Sequence, residues 1–161
     1  MTDMLKAWAQ WANTPVAAPD HQILPEDAAV LRRLAEAPGV TRWGSWERAS
    51  QLYDPWDVRD ASLHTGLVPL PFMGDVQRAA VVLLFLQPGL SVTDYFAEYQ
   101  VPAFREKLLA NLRQDFSGTE YPFFALDPQH AWHSGAKYWE GKLGDIAQDL
   151  CTKGGYSPQD V

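Results

Sequence analysis

The feature that most constrains this chain is one uninterrupted apolar run, Ala79-Ala80-Val81-Val82-Leu83-Leu84-Phe85-Leu86, which passes directly into Gln87-Pro88-Gly89. A short run without polar alternation, closed by a Pro-Gly turn, suits a strand covered on both faces, so Val81 to Leu86 is read as the central strand of a parallel sheet. A buried helix segment is the alternative, and the brevity of the run and its abrupt turn weigh against it. At ~20 residues, a membrane-spanning helix would need to be far longer.

Helical patterns surround the run. Met4, Leu5, Trp8, Trp11 and Ala12 share one face of a helix from Thr2 to Asn13, which Thr14-Pro15 ends. A second helix starts at Pro25, with Glu26 and Asp27 complementing its dipole and Val30, Leu31 and Leu34 as its apolar face. Trp43, Trp46, Ser50 and Tyr53 predict a third, cut by Asp54-Pro55; with Trp56 this region serves either helix packing or a ligand or base-stacking surface. Downstream, Ser91-Val92-Thr93-Asp94 has the spacing of a capping box. Pro102 opens the next helix, with Phe104, Leu108, Leu112 and Phe116 inward and Arg105, Lys107 and Arg113 solvated. Tyr121 to Leu126 reads as a second strand. The last helix follows a Ser134 cap, buries Trp139, Leu143, Ile146 and Leu150, and closes at Gly154-Gly155.

The predicted class is therefore α/β: a small parallel sheet flanked by helices, in a single domain over residues 1–161. Residues 1–60 form a helical cover and residues 67–150 a strand-helix core. Two legible strands are few beside a mean sheet of ~5 to 6, so the chain is either a fragment of a longer protein or a reduced version of such a fold.

Composition narrows function. The 161 residues are 47% hydrophobic and 20% charged, the balance of a globular domain with a core of its own. The formal net charge of −7 sets the overall field against nucleic-acid binding. Cys151, the lone cysteine, permits no intramolecular disulfide, and the first residues lack a basic leader with an apolar stretch; the expectation is a cytoplasmic protein. No cofactor is expected.

A buried strand that ends in Pro-Gly and enters a helix N-terminus brings backbone N–H groups to the carboxyl edge of a sheet, where ligands of open α/β folds bind. Gln87 can donate to and accept from a base or water, and Gly89 lets a ligand approach the backbone. The plain alternative is a strand-terminating turn with a solvated Gln. Phe85-Leu86-Gln87-Pro88-Gly89-Leu90-Ser91 resembles the first motif of the uracil-DNA glycosylase superfamily, especially its mismatch-specific branch. Gly135-Ala136-Lys137-Tyr138-Trp139 is similar to a helix start of that branch. The resemblance covers roughly Val81 to Leu150. It implies a truncated glycosylase-like fold, a DNA-repair hydrolase acting on an N-glycosidic bond, and nucleobase or DNA as partner.

Carried over by position, the resemblance makes Gln87 the catalytic residue, where the family places an Asn or Asp that positions or activates water. Pro88 and Gly89 would shape the wall near the base, and Ser91 would face a phosphate. Aromatic stacking would come from Tyr95, Phe96 or Phe123, with Trp139 on the second motif. Three positions depart from the family: Phe85 replaces a Gly, Gln87 replaces Asn or Asp, and no His/Asn-Pro-Ser motif follows Leu150.

Other groupings are bland. His130 and His133, near Asp127, have metal-ligand spacing but no clear further ligand, so no metal site is expected. Cys151 near a helix C-terminus lacks a base, and Asp54, Asp57 and Asp60 suit turn capping. The competing function is a non-catalytic protein-interaction module whose partner surface is the Trp-rich N-terminal helices, notably Trp8 and Trp11.

Overall fold

The computed structural model describes residues 2–13, 24–36, 40–43, 61–79, 82–85 and 89–155. Helices dominate them: α1 (Thr2–Asn13), α2 (Ala28–Ala35), α3 (Val92–Gln100), α4 (Pro102–Arg113) and α5 (Ser134–Gly154). Two short strands, β1 (Val40–Trp43) and β2 (Ala61–His64), pair in parallel with Val40 opposite Ala61 and Trp43 opposite His64. No helix among the described residues is long and apolar enough to cross a membrane.

The core lies where α1 and α3 pack on α4. Helix α4 begins at Pro102, whose missing N–H costs nothing at a first helical position, and ends at Gln114 in the left-handed region with φ 54°. Its stripe of Phe104, Leu108 and Leu112 is buried, together with Trp8, Trp11 and Ala12 of α1, Ala97 of α3, and Val68 and Phe124. Each large apolar side chain buried in this way contributes roughly 1.5 to 3 kcal/mol. Trp8 and Trp11 meet edge to face with ring centroids 6.0 Å apart. Both belong to the core.

Residues 65–76 form an irregular strap across α3 and α4. Buried backbone polar groups must find partners, and here helix side chains supply them in chain order. The Tyr99 hydroxyl donates to Gly66 O at 2.8 Å, and the Val68 N–H donates to Glu98 Oε2 at 2.8 Å. Asn111, wholly buried on the apolar stripe of α4, donates to Phe72 O at 2.9 Å and accepts from Gly74 N at 2.8 Å. Gln114 then donates to Gly74 O and accepts from Val76 N.

The α/β reading is corrected. Among the described residues the only sheet is the β1–β2 pair, and residues 82–85 of the expected central strand are not in a strand. Val82 is 62% and Leu84 92% exposed, with Leu83 and Phe85 near half. A central parallel strand needs a strand on each edge and a helix on each face; the described helices pack instead on one another, and the run is left outside. The expected strand at Tyr121 to Leu126 is a 3-10 turn, Phe124–Leu126, because its amides bond locally: Leu126 N–H to Phe123 O at 3.0 Å and Asp127 N–H to Phe124 O at 3.1 Å. Trp43, expected in a helix, ends β1. Trp46, Ser50, Tyr53, Trp56 and the acidic group at Asp54, Asp57 and Asp60 lie outside the described residues, as do Val81, Leu86, Gln87 and Pro88.

Two helix faces also differ from expectation. On α2, Val30 and Leu34 are exposed and only Leu31 is half-buried. On α5, Trp139 and Leu143 are half-buried, whereas Ile146 and Leu150 are exposed, so this long helix is buried only near its start, at Ala136. Its end is as expected: Gly155 takes the left-handed conformation, φ 72°, that closes a helix.

Candidate functional site at the junction of two helix starts

The N-termini of α3 and α5 meet. At α3 the capping box expected from Ser91 to Asp94 is formed: Ser91 Oγ accepts from Thr93 N–H at 3.1 Å, and Asp94 Oδ2 accepts from Ser91 N–H at 2.6 Å. At α5 the cap is His133 rather than Ser134, its Nδ1 accepting from Gly135 N–H at 3.0 Å. Ser134 turns toward α3, its Oγ 2.7 Å from Ser91 Oγ and 2.8 Å from Thr93 Oγ1. Three hydroxyls thus bond in a triangle between two positive helix-dipole ends.

His133 and Asp94 complete the junction, with Nε2 3.2 Å from Asp94 Oδ1 in an ion-pair contact rather than an aligned hydrogen bond. Nδ1 is engaged as the acceptor of the cap bond from Gly135 N–H. Its lone pair is therefore already used, and His133 cannot take a proton from Ser91 or Ser134. The ring also lies against Phe104, centroids 4.9 Å apart. Gly135 is needed for this approach, since a Cβ there would come 2.9 Å from His133 Nδ1.

An aromatic cluster lies further along α5. Trp139 meets Phe85 and Phe123, each with centroids 5.1 Å apart and rings nearly perpendicular. Tyr138 touches Trp139 at 5.3 Å and carries the Lys142 ammonium 5.6 Å from its ring centre. Gly89 is exposed, with nothing within 4 Å of where a side chain would begin.

Of the residues expected to form a site, Ser91 meets the start of α5 at Ser134, Phe123 and Trp139 meet each other, and Gly89 borders open space. Tyr95 does not join them. It is buried on another side of α3, its hydroxyl 3.0 Å from His64 Nδ1, and burial holds its phenol well above the ordinary range. Phe96 is exposed against Trp132. Sequence reasoning missed Phe85 as a partner of Trp139, Asp94 as a neighbour of His133, and the buried Glu98. The available signal for Glu98 was a carboxylate one residue from Ala97 and three from Tyr95, among residues a helix of this pattern buries.

His130 is buried with neither ring nitrogen hydrogen-bonded, edge-on to Phe104 at 5.0 Å. Burial, then the charges of Lys107 and His133, hold its imidazole below the usual range. Lys107 pairs with the buried Asp127, which also caps the short turn Pro128–His130. No group of three or more His, Cys, Asp or Glu among the described residues is placed to hold a metal. A shallow groove of about 430 Å³ beside α4, lined by Lys107, Asn111, Tyr121 and Asp127 among others, contains none of the expected site residues.

Neither family models, nor curated proteins, nor solved structures match the chain. What the structure overturns is the α/β fold that the glycosylase resemblance implied.

Proposed function

We propose that the α3–α5 junction binds a nucleobase or nucleotide. The observation that carries this reading is the meeting of the two segments that resemble uracil-DNA glycosylase motifs: Ser91 and Ser134, 43 residues apart, touch through their hydroxyls, and Phe85 packs on Trp139. Further support comes from the chemistry gathered there. Two helix dipoles favour an anionic group, the Phe85, Phe123 and Trp139 rings offer stacking surface, and Gly89 leaves the backbone approachable. Gln87 and Pro88 enter from the sequence, Gln87 as the group that would bond a base edge.

Binding, rather than bond cleavage, is the reading. Among the described residues, the junction hydroxyls bond to one another and the lone pair of His133 is spent on a cap, so no serine–histidine pair is set to activate water. Titration calorimetry with uracil, uridine monophosphate and a short single-stranded oligonucleotide tests the proposal on the wild type and on Trp139→Ala. Since stacking is worth ~1 to 3 kcal/mol per base, Trp139→Ala is expected to weaken binding by about tenfold or more. Absence of binding by all three at millimolar concentration overturns it.

A second reading is a protein-interaction module, favoured by the exposed apolar residues at 82–85. They place Val82, Leu83, Leu84 and Phe85 at the surface, Leu84 at 92% exposure, as in an extended apolar segment that adds to a partner's sheet edge. Light scattering separates the two: a monodisperse monomer that Leu84→Lys leaves unchanged counts against the second.

A further inference from the structure

The strap is attached to α3 by a carboxyl group that has almost no access to water. Glu98 is 6% exposed, and its Oε2 accepts both the Val68 N–H at 2.8 Å and the Arg105 guanidinium at 3.4 Å. Around it, α3 contributes Asp94, Tyr95 and Tyr99, and α4 contributes Arg105. The end of β2 contributes His64, bonded to Tyr95. The rest of the strap is held differently: the Tyr99 hydroxyl donates to Gly66 O at 2.8 Å, and at residues 72–76 the bonds come from the amides of Asn111 and Gln114, which do not titrate.

We propose that the strap is a pH-sensitive latch, in which neutral Glu98 holds the stretch around Val68 against α3 and ionised Glu98 releases it. The inference is independent of what the α3–α5 junction binds. A protonated Glu98 keeps Oε2 as an acceptor for both N–H groups and carries its proton on Oε1, so no charge is buried. An ionised Glu98 is a buried carboxylate with one cation at 3.4 Å and an acidic neighbour in Asp94, and it is relieved by water. Water reaches it when the strap lifts at Val68.

Burial pushes the Glu98 carboxyl up to about 8, and this outweighs the lowering by the Val68 amide and Arg105. A lifted strap returns it to its ordinary value of 4.5, so closing the latch takes up a proton between those two values. Attachment is strongest below about 4.5, weakens as pH rises through the window, and levels off above about 8.

Amide hydrogen exchange followed by NMR on the full chain tests this, with Gly74 and Val76 as internal references. Corrected for intrinsic rates, Val68 protection is expected to fall by nearly tenfold per pH unit between about pH 5 and 8 and then level, while Gly74 and Val76 stay within about twofold. Glu98→Gln keeps the acceptor and cannot ionise, so its Val68 profile is expected to be flat. Arg105→Gln removes the cation and is expected to move the levelling point to higher pH; it also serves should Glu98→Gln fail to fold. Val68 tracking Gly74 across the range, a wild-type slope in Glu98→Gln, or an unmoved levelling point in Arg105→Gln overturns the latch.

Discussion

The strap at residues 65–76 and the stretch at 82–85 are near neighbours in sequence and both rich in apolar side chains. The first is bonded at residues 66, 68, 72, 74 and 76 by side chains of α3 and α4. In the second, Phe85 has a ring partner in Trp139, while Val82 and Leu84 stand largely in water. The stretch at 82–85 is the more hydrophobic of the two. Apolar character measures what a segment gains by burial; whether burial happens depends on partners that satisfy its backbone as well as its side chains.

The largest effect that could break this contrast is in the core. Leu112→Ala is expected to destabilise the chain by about 2 to 5 kcal/mol, whereas Leu84→Ala should stay within about 0.5 kcal/mol. Equal costs in urea unfolding would mean that 82–85 is packed after all. Next comes Asn111→Ala, which strands Phe72 O and Gly74 N together. A cost of about 1 to 3 kcal/mol is expected, with exchange accelerated at residues 72–76 and not at 82–85.

Smaller changes sharpen the comparison at the junction. Gly135→Ala forces the His133 ring from its capping position and should cost about 1 kcal/mol, seen as fraying of the first turn of α5 by NMR. His130 and Glu98 should tilt the pH profile in opposite senses. His130, held below its ordinary 6.5, gives stability that is present above that value and lost as pH falls through its lowered one. Glu98 gives stability that is full below 4.5 and lost as pH rises toward about 8. Melting temperatures from pH 5 to 8 should therefore fall less steeply with pH in Glu98→Gln, and hold up better at the acid end in His130→Phe, than in the wild type.

What could be read from the sequence was local. The Ser91 to Asp94 capping box, the Pro102 start and the Gly155 stop each depend on contacts within about one helical turn, and each is present, as is the expected stripe except at Phe116, which lies past the end of α4 and is half-buried. Of the expected apolar face of α1, Trp8, Trp11 and Ala12 belong with them, whereas Met4 is exposed. The strand at Val81 to Leu86 was misread because its evident partner, a sheet, was inferred from the run itself. Tyr121 to Leu126 failed for a related reason: the spacing of Pro122 and Pro128 favours local 3-10 bonding over a ladder. The junction depended on pairings across 39 to 43 residues, such as Asp94 with His133, which no local pattern reveals. Its two halves were nevertheless named, because Ser91 and the Gly135 to Trp139 helix start each have a legible local form. Asn111 and Glu98 are polar residues on buried helix faces, and only the strap explains them.

The most direct test of the nucleobase reading is an amide-resolved NMR titration with uridine monophosphate. Shifts confined to Gly89 to Asp94, Phe123 and Ser134 to Trp139, with the strap amides of Val68 and Gly74 unmoved, are the expected result. No shift at these residues at millimolar ligand, or shifts concentrated elsewhere in the chain, would contradict it.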